Sequence, residues 1–393
     1  MFQIRDDCIF WLSDDGVLMA SGAGGEHTPI GQEQLALLEF FYRMAPAGGV
    51  SESAMAAALE LDATLVREGV GHLVDTRVVE ERRSPPLYDA FYPPMLYYHM
   101  LADVGKMSAY KRALEATVRP GMRVLHAGCG LGIFALWAAQ LGAGRVWAVD
   151  QRRIVRYARE LVRQNRVSNV ETIMGDILDP ALAREIGRVD LVVSEFVGDQ
   201  ILDEDILRKS YWLKRTYAAR IIPSAIEIFV MPVSCQRAVK KVAGYRDNVA
   251  ELKSAYGLDL GAVSSLIDNA ATAPDFAERL YVREFREYGP AEVRQLASPQ
   301  RFVAFDLAGN EATMLHHGAP IRVETDGVVD GVLLFFRAHL HDEIYVQSLP
   351  GSNSHWPELL YLSRRPISVR AGDSVNVWLA YLGGKRLMVS IAP

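Results

Sequence analysis

Cysteine pairs, long hydrophobic runs and a strong excess of one charge are all missing from this chain of 393 residues. The three cysteines, Cys8, Cys129 and Cys235, have no paired spacing, which argues against a zinc site or a disulfide framework and favours a reducing, cytoplasmic environment. No stretch reaches 18 consecutive apolar residues, and the first residues carry acids where a signal peptide needs bases, so we expect neither a membrane span nor a leader. The net charge is only −6, which argues against a general nucleic-acid binder.

Residues 1–85 have the pattern of a separate small domain that ends before a linker at Ser84–Pro86. The pattern predicts a hairpin, three helices and a strand, at residues 8–20, 32–44, 51 onward, 63–74 and 77–81. This order predicts a winged-helix-like domain, a shape that often binds DNA. However, 14 acidic against 6 basic residues have the wrong sign for phosphate, so we expect a protein, peptide or dimer contact instead.

From residue 86 to 223, predicted strands and helices alternate in the manner of a parallel sheet. The strands are predicted at 122–126, 145–150, 170–174, 189–195 and 219–222, and the helices at 94–114, 133–141 and 152–167. Residues 224–393 change to short β-rich runs with a more helical insert at about 236–285. The sequence therefore predicts an α/β domain with a Rossmann-like order, followed by a β domain.

A glycine-rich turn at Gly128, Gly130 and Gly132 follows a predicted strand and opens a predicted helix, as a cofactor-binding turn does. The third glycine of the dinucleotide pattern would fall on Ile133, which argues against NAD or FAD. Asp150 ends the next strand, where a carboxylate can accept both hydroxyls of a ribose. Together these residues predict a nucleoside cofactor.

Gly175, Asp176 and Ile177 end the third predicted strand, where the adenine edge of such a cofactor would lie. The Asp176 carboxylate can accept the exocyclic amine while a backbone N–H reaches a ring nitrogen. A capping aspartate in a turn is the alternative interpretation.

Two glutamates, Glu195 and Glu204, flank a loop that contains Gly198. A glycine inside nine residues suits a loop that doubles back and brings both carboxylates together. Glu195 also stands at the carboxyl end of a strand, where α/β folds bind ligands. Paired carboxylates suit a planar guanidinium with five N–H donors, although a solvated acidic loop remains the alternative.

The stretch VLHAGCGLGIFALWAAQLGAGRVWAVD, followed by VDLVVSEFVGDQILDEDIL, resembles the core of the protein arginine methyltransferase family. Residues 100–106 resemble its N-terminal helix, Ser354–Trp356 its Thr-His-Trp loop, and residues 256–259 the segment beside its dimerisation arm. The resemblance covers about 88–393 and leaves out the first 85 residues. It implies S-adenosylmethionine as cofactor, a Rossmann-like domain, a β-barrel, an arm at about 236–285 and a homodimer.

The resemblance also implies roles for single residues. Glu195 and Glu204 would hold the guanidino group, and His355 would pair with Asp103 across the substrate. Lys106 stands where the family usually has an arginine on the cofactor carboxylate. The acceptor pocket would be bordered by Met100, Trp356 and Ile206.

Three positions depart from the family pattern: His126 replaces an aspartate, Phe196 a tryptophan and Asp199 an aromatic residue. We expect the His126 ring, at a strand end, to be satisfied by a neighbour. Phe91 also stands where a tyrosine commonly bonds the second glutamate, a contact that Tyr88 or Tyr92 could make instead.

The sequence therefore predicts methyl transfer from S-adenosylmethionine to a terminal guanidino nitrogen of arginine, without a metal. An acidic, altered pocket favours free L-arginine in a small-molecule biosynthetic pathway. Arginine in a peptide or protein is one alternative, and a non-catalytic dimeric scaffold or regulator is another.

Overall fold

The protein was studied as a computed structural model. The structure describes residues 94–264 and 292–393, apart from 153, 310–312, 353 and 384–386. In the N-terminal region it describes residues 2–4, 9–13, 17–21, 27–44, 66, 69, 70, 73 and 79–81.

The helices and strands of this part of the chain are numbered here in chain order. The helices are α1 (Gln32–Met44), α2 (Pro94–Ala102), α3 (Val104–Thr117), α4 (Ile133–Gln140), α5 (Val155–Gln164), α6 (Pro180–Ile186), α7 (Ile206–Tyr217) and α8 (Gln236–Tyr256). The first ten strands are β1 (Phe2–Ile4), β2 (Ile9–Leu12), β3 (Leu18–Ser21), β4 (His27–Pro29), β5 (Val79–Glu81), β6 (Arg123–Ala127), β7 (Arg145–Asp150), β8 (Val170–Met174), β9 (Leu191–Ser194) and β10 (Arg220–Ile222). The others are β11 (Ala225–Ser234), β12 (Arg294–Gln295), β13 (Gln300–Asp306), β14 (Leu315–Arg322), β15 (Gly327–His341), β16 (Ile344–Gln347), β17 (Leu359–Val369), β18 (Ser374–Tyr381) and β19 (Leu387–Ala392).

Five strands form a parallel sheet in the order β10-β9-β6-β7-β8. Strands β6 and β9 at its centre are buried along almost their whole length, because helices cover both faces of such a sheet. All five strands run in the same direction, so the turns after β6, β7, β8 and β9 meet at one edge. This edge carries the predicted cofactor and acceptor residues.

In the antiparallel second half of the chain, the central strands bury side chains on both of their faces. In β11, Ile226, Ile228 and Val230 belong to the main core, whereas Phe229 and Met231 on the opposite face belong to a smaller one. Strand β15 pairs with β11, β16 and β17, and β14-β18-β19 form a further sheet. The main core continues from the parallel sheet into these strands, so the two halves share one hydrophobic interior.

The described N-terminal residues dock on the strand-rich half. A hydrophobic cluster joins Leu18, Leu37 and Leu38 to Ala380 and Met388 of β18 and β19. Glu39 in α1 accepts hydrogen bonds from the backbone N–H groups of Thr313 and Met314. The winged-helix arrangement and the linker at Ser84–Pro86 stay predictions, because residues 45–65 and 82–93 lie outside the described residues.

The predicted helix over 94–114 was wrong in one respect, since the chain breaks at Asp103 into α2 and α3. Asp103 caps α3, and its Oδ1 accepts the N–H of Lys106 at 2.9 Å. A capping aspartate satisfies a backbone donor that the start of a helix leaves open. The cap also removes Asp103 and Lys106 from the solvent-side pairing that their spacing allows, because both residues are buried.

Candidate active site

The glycine turn after β6 requires glycine at its first position for a steric reason. Gly128, Gly130 and Gly132 have φ values of +69°, +50° and +78°, a region that favours glycine. A Cβ on Gly128 would lie 2.4 Å from Cε1 of Phe196. The turn is therefore held against the residue that follows Glu195, which joins the predicted cofactor turn to the predicted acceptor loop.

Asp150 ends β7 beside this turn and is almost fully buried. Its Oδ2 accepts the N–H of Gly130 and its Oδ1 accepts the N–H of Arg152, both at 2.9 Å. Each carboxylate oxygen has a second lone pair, so the group can still accept hydroxyl donors from the cavity.

Asp176 and Ile177 follow β8 and line the same cavity as Asp150. The Asp176 Oδ1 accepts the N–H of Leu178 at 2.9 Å, which is the turn-capping contact considered as the alternative. The cap and a contact with an adenine amine use different lone pairs, so the geometry accommodates both.

The loop between the two glutamates does double back. Gly198 and Ile201 form an antiparallel bridge, and Asp203 Oδ1 accepts the N–H of Gln200 at 3.1 Å. A Cβ on Gly198 would lie 2.2 Å from Asp203 Oδ1, so the turn needs glycine here as well. As a result, Glu195 and Glu204 line one cavity.

The charges in this loop affect one another. Burial raises the pKa of Glu204, Lys209 opposes the rise and Glu195 adds to it. Burial also raises the pKa of Asp203 to about 7, with further increases from Glu204 and Asp199. The acceptor end of the cavity therefore holds four carboxyl groups, of which Asp203 is about half protonated at pH 7, together with the cation of Lys209.

Lys106 makes an ion pair with Glu195, at 3.2 Å from Nζ to Oε2. Its ammonium also lies 5.4 Å from the centroid of the Trp356 ring, and only 3% of its side chain is exposed. The lysine predicted for the cofactor carboxylate thus contacts a predicted acceptor carboxylate. Its three N–H donors allow it to bind both groups.

Asp103 and His355 form the predicted pair. Asp103 Oδ2 lies 2.8 Å from Nδ1 of His355 and accepts the backbone N–H of His355 at 2.9 Å. Burial by itself would raise the pKa of Asp103, but the hydrogen bonds from His355 and Lys106 outweigh it and lower that pKa to about 2. The carboxylate therefore stays ionised and fixes the imidazole, which lines the cavity.

Trp356 connects the strand-rich half to the acceptor loop. Its Nε1 donates to the carbonyl oxygen of Val197 at 2.7 Å, and its ring meets Phe336 edge-on at 4.9 Å. Met100 of α2 also lines the cavity. Ile206, by contrast, is fully buried in the main core and is not among the residues that line the cavity.

The neighbour that we expected to satisfy the His126 ring is not observed. In the described part of the chain, no residue makes a hydrogen bond to its Nδ1. The ring is 3% exposed, stacks on Phe134 at 4.9 Å and lines the cavity beside the glycine turn. Burial lowers the pKa of His126 to about 3, so the imidazole is neutral. A buried polar atom without a protein partner in a cavity wall fits a site built for a polar ligand.

Sequence reasoning missed four residues that line the cavity: Tyr97, Arg152, Asp203 and Lys209. Lys209 lies five residues after Glu204, in the first turn of α7, and this proximity is the only signal in the sequence. The whole cavity has a volume of about 330 Å³. It runs from Asp150 and Asp176 to the two glutamates, so one ligand at each end can meet at its centre.

The parallel sheet, its glycine turn and the acid after the second strand define a methyltransferase that uses S-adenosylmethionine. Residues 124–211 match the family model described as "Methyltransferase domain". Among the described residues, no helix is long and apolar enough to cross a membrane.

Comparison with known proteins finds similarity to arginine methyltransferases. Protein arginine N-methyltransferase PRMT10 of Arabidopsis thaliana is 27% identical over 321 residues, which cover 72% of this chain and 79% of that protein. An arginine N(omega)-methyltransferase of Streptomyces achromogenes subsp. streptozoticus is also 27% identical, over 73% of this chain and 76% of that protein. The chain is an S-adenosylmethionine-dependent methyltransferase that is similar, over about seven tenths of its length, to arginine N-methyltransferases.

Solved structures agree on the fold. A crystal structure of Arabidopsis thaliana protein arginine methyltransferase 10 superposes with a TM-score of 0.57 at 22% identity, over 73% of this chain and 88% of that one. A crystal structure of PRMT6 with SAH superposes with a TM-score of 0.54 at 16% identity, over 76% of this chain and all of that one. The fold is thus a Rossmann-like domain followed by a β-barrel.

Proposed function

We propose that this enzyme methylates a terminal guanidino nitrogen of free L-arginine in a small-molecule biosynthetic pathway. The observation that carries the proposal is the charge of the acceptor end, where Asp199 and Asp203 line the cavity in addition to Glu195 and Glu204. A free arginine brings two cationic groups, the guanidinium and the α-ammonium, whereas an arginine within a peptide brings one. The relative from Streptomyces, named an arginine N(omega)-methyltransferase, also favours this substrate.

The glutamates have to overcome the weak nucleophilicity of the acceptor. A guanidinium is protonated at physiological pH and its lone pairs are delocalised. Hydrogen bonds from one edge of the guanidinium to Glu195 and Glu204 would draw positive charge to those nitrogens and leave electron density on the nitrogen that is methylated. Positioning and electrostatics then supply most of the rate enhancement.

When bound, S-adenosylmethionine supplies a methyl group on a positively charged sulfur. The guanidino nitrogen that accepts this methyl group would have to lose one proton. Two acceptors are within the cavity: Glu204, whose pKa burial raises, and His355, which Asp103 orients. The two glutamates are proposed to bind the guanidinium whichever of these groups accepts the proton.

Glu195→Gln tests the proposed acceptor role, because glutamine keeps the shape and removes the charge. We expect kcat to fall by more than tenfold while S-adenosylmethionine still binds in calorimetry. The matched control is Glu171→Gln, an exposed glutamate paired with Arg145 on the surface. Retention of more than about a tenth of wild-type kcat in Glu195→Gln would exclude the role.

Methylation of arginine in a peptide or protein is the second candidate, favoured by the names of most relatives. The N-terminal region, docked on the barrel through Glu39, could then contribute to substrate binding. A competition with L-arginine and an arginine-rich peptide at equal concentration decides between them, since the product ratio equals the ratio of kcat/KM values. We expect the free amino acid to take most of the methyl groups, and a majority on the peptide would contradict the proposal.

We also propose a homodimer formed through the arm that begins with α8. Exposed apolar side chains cluster at its end, where Tyr256 and Leu258 are 64% and 59% exposed. Light scattering after size exclusion should give twice the chain mass. The double variant Tyr256→Asp with Leu258→Asp should give a monomer, and an unchanged mass would exclude this surface.

A further inference from the structure

Lys209 lies in the first turn of α7 and lines the cavity together with Glu195 and Glu204. Its Nζ lies 4.2 Å from the centroid of the Phe196 ring, which in turn packs against Gly128. The ammonium is therefore held against an aromatic face at the wall of the reaction cavity.

The charge of Lys209 is not neutralised by a direct ion pair. Its neighbour Arg208 contacts Asp205, with 2.7 Å between Nε and Oδ2. Within the part of the chain that the structure describes, no carboxylate oxygen lies within 4 Å of the Lys209 ammonium. Burial lowers the pKa of Lys209, and the more distant charges of Glu204 and Asp205 oppose this effect. The ammonium thus keeps N–H donors for a group that enters the cavity.

A cation in a cavity for guanidinium groups repels the acceptor, and the nearby carboxylates offset only part of the cost of its burial, because the pKa of Lys209 stays lowered. An anion on the substrate would offset both effects. Free arginine carries an α-carboxylate, whereas an arginine inside a peptide has an amide at the same position.

We propose that Lys209 binds the α-carboxylate of the acceptor arginine and so selects the free amino acid over peptidyl arginine. This inference rests on the proposed function. Asp199 and Asp203 line the same cavity, so the acceptor end presents groups of opposite charge to both the α-carboxylate and the α-ammonium group of the amino acid.

S-adenosylmethionine also carries a carboxylate. Whether Lys209 binds this group or the α-carboxylate of the acceptor depends on where its ammonium lies in the cavity. Glu204 is the strongest charged neighbour of Lys209, which locates the ammonium at the acceptor end. Lys106, paired with Glu195 and in contact with Trp356, is the buried cation proposed for the cofactor carboxylate.

The test compares L-arginine with L-argininamide, which keeps the guanidinium and the amine but lacks the carboxylate. For the wild type we expect a KM for L-arginine about 10- to 100-fold below that for the amide, the usual contribution of one charged hydrogen bond. Lys209→Met should raise the KM for L-arginine by this factor and leave the KM for the amide unchanged. Lys209→Arg should keep most of the preference, and calorimetry should give the same affinity for S-adenosylmethionine in all three proteins.

Each other outcome overturns the inference in a distinct way. Equal losses on both substrates in Lys209→Met would mean that the lysine acts on Glu204, and a loss of cofactor affinity would assign the carboxylate to the cofactor. A wild type that methylates L-arginine and the amide equally well would refute only the role of Lys209. A wild type that methylates a peptide but neither small substrate would refute the proposed function itself.

Discussion

Replacing Asp103 by asparagine should loosen the contact between α3 and the loop that carries His355. The carboxylate accepts three hydrogen bonds, from the backbone N–H groups of Lys106 and His355 and from the His355 ring. An asparagine presents an NH₂ group to at least one of these donors. The hydrogen bonds lower the pKa of Asp103 from 3.8 to about 2, which corresponds to about 2.4 kcal/mol in favour of the ionised, folded form.

The sign of this contribution sets its pH dependence. A carboxylate with a lowered pKa stabilises the folded state above its unfolded pKa near 3.9, and this stabilisation is lost as the pH falls toward 2. We therefore expect Asp103→Asn to lower the free energy of unfolding by about 2 kcal/mol at pH 7, by about half of that at pH 3, and by little below pH 2.

Hydrogen exchange at pH 7 measures this loss of stability at individual amides, because the N–H groups of Lys106 and His355 donate directly to the carboxylate. We expect their protection to fall by roughly 30-fold in Asp103→Asn. Asp179→Asn is the matched control, since Asp179 caps α6 at an exposed position where asparagine caps as well. If these amides lose no more protection in Asp103→Asn than in Asp179→Asn, the carboxylate does not stabilise this contact as expected.

Two further predictions concern the glycine turn and the acidic loop. Gly128→Ala adds a Cβ 2.4 Å from the Phe196 ring, so we expect weaker S-adenosylmethionine binding in calorimetry than in Gly121→Ala, where φ is +83° but no atom lies within 4 Å of the added Cβ. An equal loss of affinity in both variants would mean that the positive φ, and not the contact with Phe196, is responsible. Asp203 has a raised pKa, so wild-type stability should fall relative to Asp203→Asn as the pH rises from about 4 to 7, by ~3 kcal/mol in urea unfolding. A difference that does not change between pH 4.5 and 8 would contradict the assigned pKa.

Much of the fold could be predicted from the sequence where periodicity and buried strands agree. Strands β7 and β8 and helix α1 have the predicted bounds, because apolar residues between turn residues define them. Strand β14 was not predicted, since its sequence from Leu315 to Arg322 contains two histidines, a glycine and a proline. Its strand conformation depends on pairing with β18 along its whole length, which no local pattern indicates.

Site residues could be predicted where the local backbone or the end of a strand requires a particular residue type. They could not be predicted where the site depends on contacts between segments that are distant in the sequence. Glycines at positive φ and acids at strand ends follow from local geometry. The ion pair between Lys106 and Glu195 joins residues 89 positions apart and depends on how α3 packs on the sheet. Lys209 and His126 were missed as site residues for the same reason, because their positions in the cavity wall depend on how distant segments pack together.

Tandem mass spectrometry of the reaction products identifies both the substrate and the methylated atom. Wild-type enzyme with S-adenosylmethionine is given L-arginine in one reaction and an arginine-rich peptide in another. We expect free L-arginine to gain a methyl group, with fragments that locate it on a terminal guanidino nitrogen. Methylation of the peptide alone, or a methyl group elsewhere on the amino acid, would contradict this expectation.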